Sequence, residues 1–328
     1  MTRRAPAGGP RPGPGRRPAV GPYGYGGDGG RGGDRDAAVL WALDAVERLV
    51  AVDATRGATA ALPLVRETLR LLPGPQAAPD SLSGLGSDLL AALAELYEVI
   101  GWILFDAGRY RRAHRTNARA LALAELCGDR WTARLVLLNH SMLAAHTGRP
   151  RAALEAASRV RGARPLPARV AGLVHVRQAH ALALLGRRTE PLELISRAQS
   201  RFLDGISRRD PHWAWWIDQT ELLGHRGWVQ ARLRRWDRAV PLLYEAATAP
   251  GPSYRHLFTA ELLSALAGAG AWREARTLIE SVAPRAAGIG SVRTTETLGR
   301  TAAALRRGPD VPPGLRDAAV FLQESLPG

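Results

Sequence analysis

The chain has 328 residues and a net charge of +15, and all 45 of its basic residues are arginine, against 30 acidic ones. Hydrophobic residues make up 46%, enough to bury a core, which excludes wholesale disorder. The single cysteine, Cys127, excludes a disulfide framework or a cysteine-rich zinc site, and no run approaches the ~18 apolar residues of a membrane span. No apolar stretch follows Arg3 and Arg4, so a secretory leader is not expected and a cytoplasmic protein is. The absence of lysine fits a G- and C-rich coding bias, which raises the charge without any nucleic-acid partner.

Residues 1–36 contain 12 Gly and 6 Pro and no apolar periodicity. Such a segment cannot offset its chain entropy by burial, and it is expected to be a disordered tail ahead of a helical-repeat domain over 37–328. Its seven arginines, with Tyr23 and Tyr25, could meet phosphates and bases. Charge so thinly spread is more often a solvated low-complexity arm.

From Asp36, placed as an N-cap, Val39, Leu40, Leu43, Val46, Leu49 and Val50 recur at helical spacing. Short turns then punctuate the chain at Gly108, Gly148, Gly186 and Gly270, with Arg234 in place of glycine at another. The pattern predicts helical hairpins over 37–72, 87–127, 130–162, 167–203, 211–247 and 253–283, then a helix near 290–306. A last helix after Pro312 and Pro313 carries the stripe Leu315, Ala318, Ala319, Leu322 and Leu326, suited to capping the array. Asp210 and Pro211 read as N-cap and first residue of the fifth hairpin.

The hairpins repeat. Five residues after each turn stands Ala113, Ala153, Pro191, Ala239 or Ala275. Twelve residues before these lie Gly101, Ser141, Ala179 and Gly227, and seven after them lie Ala120, Ala198 and Ala246, with Val160 and Val282 in the other two. Small residues there let paired helices approach closely. The spacing is that of tetratricopeptide repeats, with an irregular period and Leu263 breaking the pattern. The expected fold is all-α: a tetratricopeptide-like solenoid of about six to seven hairpins.

No enzyme signature is present: no P-loop, no dinucleotide fingerprint, no H-E-x-x-H. Neither His140/His146 nor His175/His180 has the spacing that puts two imidazoles on one helical face. No catalytic residue, cofactor or metal is expected, and Cys127 reads as an inert thiol. The tryptophans are more informative, since nine occur against four Phe, three of them in His212–Trp216. Groove positions counted from the small residue of each first helix give Glu95, Glu98, Trp102, Phe105 and Asp106, then Leu135, Leu138, Met142, Ala145 and His146. They continue with Leu173, Val176, His180, Ala183 and Leu184, then Glu221, Gly224, Trp228, Ala231 and Arg232. The predicted partner-binding groove comprises Trp102, Asp106, His146, His180, Trp228 and Arg232, edged by Trp213, Trp216, Asp218 and Glu221. Any one Trp reads more readily as core than as groove, but the aromatic floor of the set suits a peptide or protein partner. Arg111, Arg115 and Arg119, with Arg112 beside them, form a basic stripe on a second helix. Such a stripe is usually a solvated face.

Gly101-Trp102 through Phe105-Asp106-Ala107-Gly108, Cys127-Gly128-Asp129, Trp213–Leu222 with Gly224-His225-Arg226-Gly227, and Tyr254–Val282 together carry a resemblance. Over roughly residues 37–306 the chain resembles the C-terminal helical-repeat region of actinobacterial helix-turn-helix regulators of sporulation and antibiotic production. The resemblance implies a regulatory role in transcription or development. A helix-turn-helix takes several helices over ~60 residues, which residues 1–36 do not supply, so direct DNA reading is not expected. The expectation is a non-enzymatic regulator that binds a peptide or protein, with homo-oligomers compatible. The alternative is a nucleic-acid binder using diffuse arginine charge.

Overall fold

A computed structural model describes residues 31–72, 84–162 and 165–327, and most of the expected tail lies outside them. Fourteen α-helices and no strand occur among the described residues. They pair along the chain as α1 (Arg31–Arg56) with α2 (Ala58–Leu71), α3 (Ser87–Asp106) with α4 (Tyr110–Cys127), and α5 (Arg130–His146) with α6 (Pro150–Ser158). Next come α7 (Ala168–Leu184) with α8 (Glu190–Leu203), α9 (Gln219–Arg232) with α10 (Trp236–Thr248), and α11 (His256–Ala269) with α12 (Trp272–Val282). The last pair is α13 (Val292–Arg307) with α14 (Pro313–Ser325), and α14 also packs on α12.

The turns follow from backbone sterics. Gly108, Gly148, Gly186 and Gly270 all hold φ between 69° and 79°, the left-handed region where a Cβ is penalised. Arg234 occupies the same conformation at φ 57°, the one non-glycine residue among those described to do so. Cys127-Gly128-Asp129 compresses a stop and a start into three residues. Gly128 closes α4 in the left-handed conformation, and the Asp129 carboxylate accepts from the N–H groups of Trp131 and Thr132 to open α5.

Every small residue predicted to seat a helix against its neighbour is buried: Gly101, Ala113, Ala120, Ser141, Ala153, Ala179, Ala198, Gly227, Ala239, Ala246 and Ala275. Two of them meet directly, since Ser141 Oγ donates to the Ala153 carbonyl at 2.7 Å. A Cβ on Gly101 would stand 1.8 Å from Asn117 Oδ1, and one on Gly227 would stand 2.7 Å from Leu243 Cγ. Larger side chains would hold these pairs apart.

Two boundaries differ from the sequence reading. Helix α1 begins at Arg31, so Asp36 lies inside it rather than at its cap. Asp210–Pro211 does not open α9 either. His212–Trp216 forms a separate 3₁₀ turn, and α9 starts after Asp218, whose carboxylate accepts from the Glu221 N–H at 2.9 Å. Asp210 instead accepts from the Ser207 N–H. Trp213 and Trp216 are therefore not on the helix that carries Trp228.

The first helices of successive hairpins, α1, α3, α5, α7, α9, α11 and α13, touch in that order. Apolar packing concentrates in two large clusters, one spanning α1–α5 and the other α9–α14. The chain then returns on itself. The turn between α1 and α2 meets the approach to α13, where the Thr59 N–H donates to the Gly290 carbonyl at 3.0 Å. A Cβ on Gly290 would lie 2.2 Å from the Arg56 carbonyl oxygen, so backbone touches backbone at this seam. Ser253 Oγ reaches the Asp53 carbonyl from just ahead of α11. No described helix is long and apolar enough to cross a membrane.

Candidate functional site

The structure brings most of the predicted groove residues together, but the expected open groove is closed. Side chains of the 3₁₀ turn Ser253–Arg255, of α11 and of the start of α13 fill the space that the first helices face. At its centre the buried Asp106 carboxylate, on the last turn of α3, pairs with Arg293 Nε at 2.6 Å and accepts from Ser291 Oγ at 2.9 Å. The Arg293 guanidinium is itself buried, lying 4.4 Å from the Phe105 ring centroid and 5.0 Å from that of Trp102. Its Nη1 also reaches Met142 Sδ at 3.6 Å. Four of the predicted groove positions, Trp102, Phe105, Asp106 and Met142, thus hold one arginine of the same chain.

The remaining members extend this network on both sides. Trp102 packs edge-on against Phe105 and Tyr254, and its indole lies against the Asp53 carboxyl. Tyr110 O–H donates to Glu296 of α13 at 2.7 Å, and His146 Nε2 lies 3.0 Å from the same hydroxyl. On α9, Glu221 lies 3.2 Å from His225 and 3.7 Å from Arg255, which also pairs with Asp218. His180 Nε2 meets His225 Nδ1 at 3.0 Å, and Arg177 Nη1 reaches the other ring nitrogen at 3.4 Å. Trp228 stacks on His225 and meets His180 edge-on, with the Arg232 guanidinium over its ring. Arg232, exposed at the edge of the set, pairs with the buried Glu261 of α11 at 3.6 Å.

Trp213 and Trp216 play another part. Trp213 is buried and Trp216 half-buried against Leu135, Leu138, Val170 and Leu173. The 3₁₀ turn therefore covers the groove positions of α5 and α7. His212 of the same turn reaches Glu95 at 3.3 Å.

Burial governs the electrostatics. Desolvation raises Glu221 to about 7 against the pull of Arg255 and Arg177. It raises Asp53 to about 7 as well, with the Asp106 charge adding to it. Glu98, whose Oε1 accepts from Asn139 Nδ2 at 2.6 Å, is pushed up to about 8. The imidazoles move the other way for the same reason: burial lowers His180 and His225 well below their ordinary value, and His146 to about 4. Near neutral pH these histidines are uncharged, while Asp106 and Arg293 form a desolvated ion pair. Among the described residues, Asp106 Oδ2, Glu221 Oε2, Arg177 Nε and the Tyr254 hydroxyl find no hydrogen-bond partner. The described residues hold no group of three His, Cys, Asp or Glu side chains placed for a metal ion.

Half of this site escaped the repeat pattern. Asp53, Arg177, His225, Tyr254, Arg255, Glu261, Ser291 and Arg293 lie outside the groove positions counted from the anchors. One signal was present for the last of them. Thr294, Thr297 and Thr301 stand at the spacing of a buried stripe, where leucine would be ordinary, and all three are buried. Thr297 Oγ1 donates to the Arg293 carbonyl and Thr301 Oγ1 to that of Thr297, which lets a polar face be buried without orphaned hydroxyls. No family model matches the chain, and no curated protein matches it.

Proposed function

We propose that the protein is a non-enzymatic cytoplasmic regulator, built as a tetratricopeptide-like solenoid, that binds a peptide or protein partner on its inner face. The role in transcription or development rests on the resemblance carried by the motifs at Gly101–Gly108, Cys127–Asp129 and Trp213–Gly227. One observation carries the binding reading. The segment Ser291–Glu296 lies against residues counted as groove, giving Ser291 and Arg293 to Asp106, with Glu296 accepting from the neighbouring Tyr110. This supports reading that face as one that takes a segment of chain. The inner face recognises a polar segment, and here that segment is its own.

Closure by charge favours exchange. A buried ion pair recovers little beyond its desolvation cost, so releasing both groups to water or to a partner is less costly than separating an apolar seam of equal size. A partner bearing a guanidinium at the Arg293 position would compete for Asp106, Trp102 and Phe105. Displacing α13 would alter the curvature of the array, and that change would be the regulatory output.

A labelled peptide with the sequence of residues 289–301 tests this directly. It should bind saturably to an Arg293→Gln chain that retains its helical spectrum, and much more weakly to the native chain, whose site is filled. Adding Asp106→Asn should reduce that binding by about tenfold, the scale of a lost charged hydrogen bond. Absence of binding to the Arg293→Gln chain would remove the inner face as a recognition surface.

A further inference from the structure

An open cleft of about 560 Å³ lies between the α3–α4 turn and α2. Its floor is aliphatic: Leu62, Val65 and Leu69 of α2 face Leu104 at the end of α3. Its rim is cationic, made by Arg66, Arg109, Arg111 and Arg112, and among the described residues no carboxylate lines it. All four arginines are exposed, and none forms an ion pair with a described residue. Some arginines elsewhere do find partners, as Arg48 does with Asp44, Arg276 with Glu280 and Arg255 with Asp218. What sets this cleft apart is the clustering of four unpaired ones around an apolar floor. An apolar trough edged by four unpaired charges of one sign is an interaction surface with its complement missing.

We propose that this cleft docks an acidic amphipathic helix of a partner protein, separately from the inner face. Leu62 to Leu69 spans about 10 Å of helix, or about two turns, which matches a helix laid alongside with its apolar side chains on the floor. Carboxylates flanking that stripe would meet the arginines, whose planar forks suit bidentate pairing. Nucleic acid fits less well. Single strands are held by stacking on aromatic faces, whereas this floor is aliphatic, and the hydroxyl of its one ring, Tyr110, is committed to Glu296. The chain's own residues 1–30 carry five arginines against one aspartate, so the rim repels them.

The probe is a fluorescent peptide of about 14 residues, long enough to form helix on binding, with Leu at i, i+3, i+4 and i+7 and Glu on the flanks. A Lys-for-Glu version and an oligothymidylate of similar length serve as comparisons. The acidic peptide should bind the native chain saturably and the Lys version should not. Arg111→Glu with Arg112→Glu should weaken binding by about tenfold or more, while Arg151→Glu with Arg307→Glu, an equal charge change at exposed sites elsewhere, should alter it by less than about twofold. Arg66→Glu, on the other wall, gives an independent reading should the double variant melt early. No saturable binding, or equal loss in the two double variants, would overturn the proposal. Tighter oligothymidylate binding lost in Arg111→Glu/Arg112→Glu would overturn it in favour of a nucleic-acid surface.

Discussion

Two of the seams in this molecule are built on opposite principles. Within the α3–α4 hairpin the contact is steric: Gly101 lies under Asn117, Ala113 and Ala120 are fully buried, and Ile100, Ile103 and Leu123 fill the remainder. Between α3 and α13 the contact is ionic, with Ser291 and Arg293 both donating to the Asp106 carboxylate and all three buried. The first is cohesive wherever it forms. The second is favourable only while both partners are present, because either alone is a charge stripped of water.

The strongest test of that difference is Asp106→Ala. It leaves the Arg293 guanidinium buried beside two aromatic rings with no counter-ion, and should cost about 3–5 kcal/mol in chemical denaturation. Asp106→Leu combined with Arg293→Met should recover most of the loss. If the double variant were as unstable as the single one, the pair would be cohesive in its own right and the contrast would fail.

Overpacking gives the next comparison. Gly101→Ala meets the end of an amide side chain, which can rotate, whereas Gly290→Ala meets the Arg56 carbonyl of the backbone, which cannot. Gly290→Ala should therefore be the more damaging of the two, while Gly101→Leu should cost roughly 1–3 kcal/mol. Equal shifts in unfolding midpoint would mean that the closure seam is soft.

Acidity sharpens the contrast further. Glu98 has a folded pKa near 8 against an ordinary 4.5, so the folded state keeps a proton that the unfolded state releases. Its contribution is fully present below pH 4.5 and is lost as pH rises through 8. Glu98→Gln keeps the acceptor for Asn139 without the ionisation. It should match the native chain near pH 4.5 and exceed it by at least about 1 kcal/mol at pH 8. His140 and His146, both lowered to about 4, run in reverse, and their contribution falls as pH drops from 6.5 toward 4. A pH-independent Glu98→Gln effect would place that carboxyl in water. The smallest effect belongs to the turns: Arg234→Gly relieves a left-handed side chain and should stabilise by about 0.5–1 kcal/mol by thermal melting.

The steric seam was legible in the sequence and the ionic one was not, for a physical reason. A close helix–helix contact demands a small residue at a fixed offset from the turn, so it recurs, and all eleven anchors could be placed from that recurrence. The closure demands only that Asp106 find some cation, and that cation lies 187 residues away with no periodic relation to it. Most of the groove positions counted from the anchors lie in or beside one buried network. What packs against them, Tyr254, Arg255 and Arg293, belongs to hairpins whose own register gave no sign of it. The helix placed from Pro211 failed because Asp-Pro resembles a cap, whereas Asp218 is the residue whose carboxylate accepts an N–H of α9.

The return of the chain onto itself also orders the route by which it forms. Each hairpin closes a turn of a few residues, whereas the Asp106–Ser291 contact spans 185. Loop entropy grows with separation, and contacts between neighbours can assemble before distant ones are worth their cost. The hairpins should therefore condense first, and the junction of Gly57 with Gly290 should form last and open first. Native-state hydrogen exchange would then find the Thr59 amide exchanging through a partial opening, ahead of the amides of α3, α4 and α5.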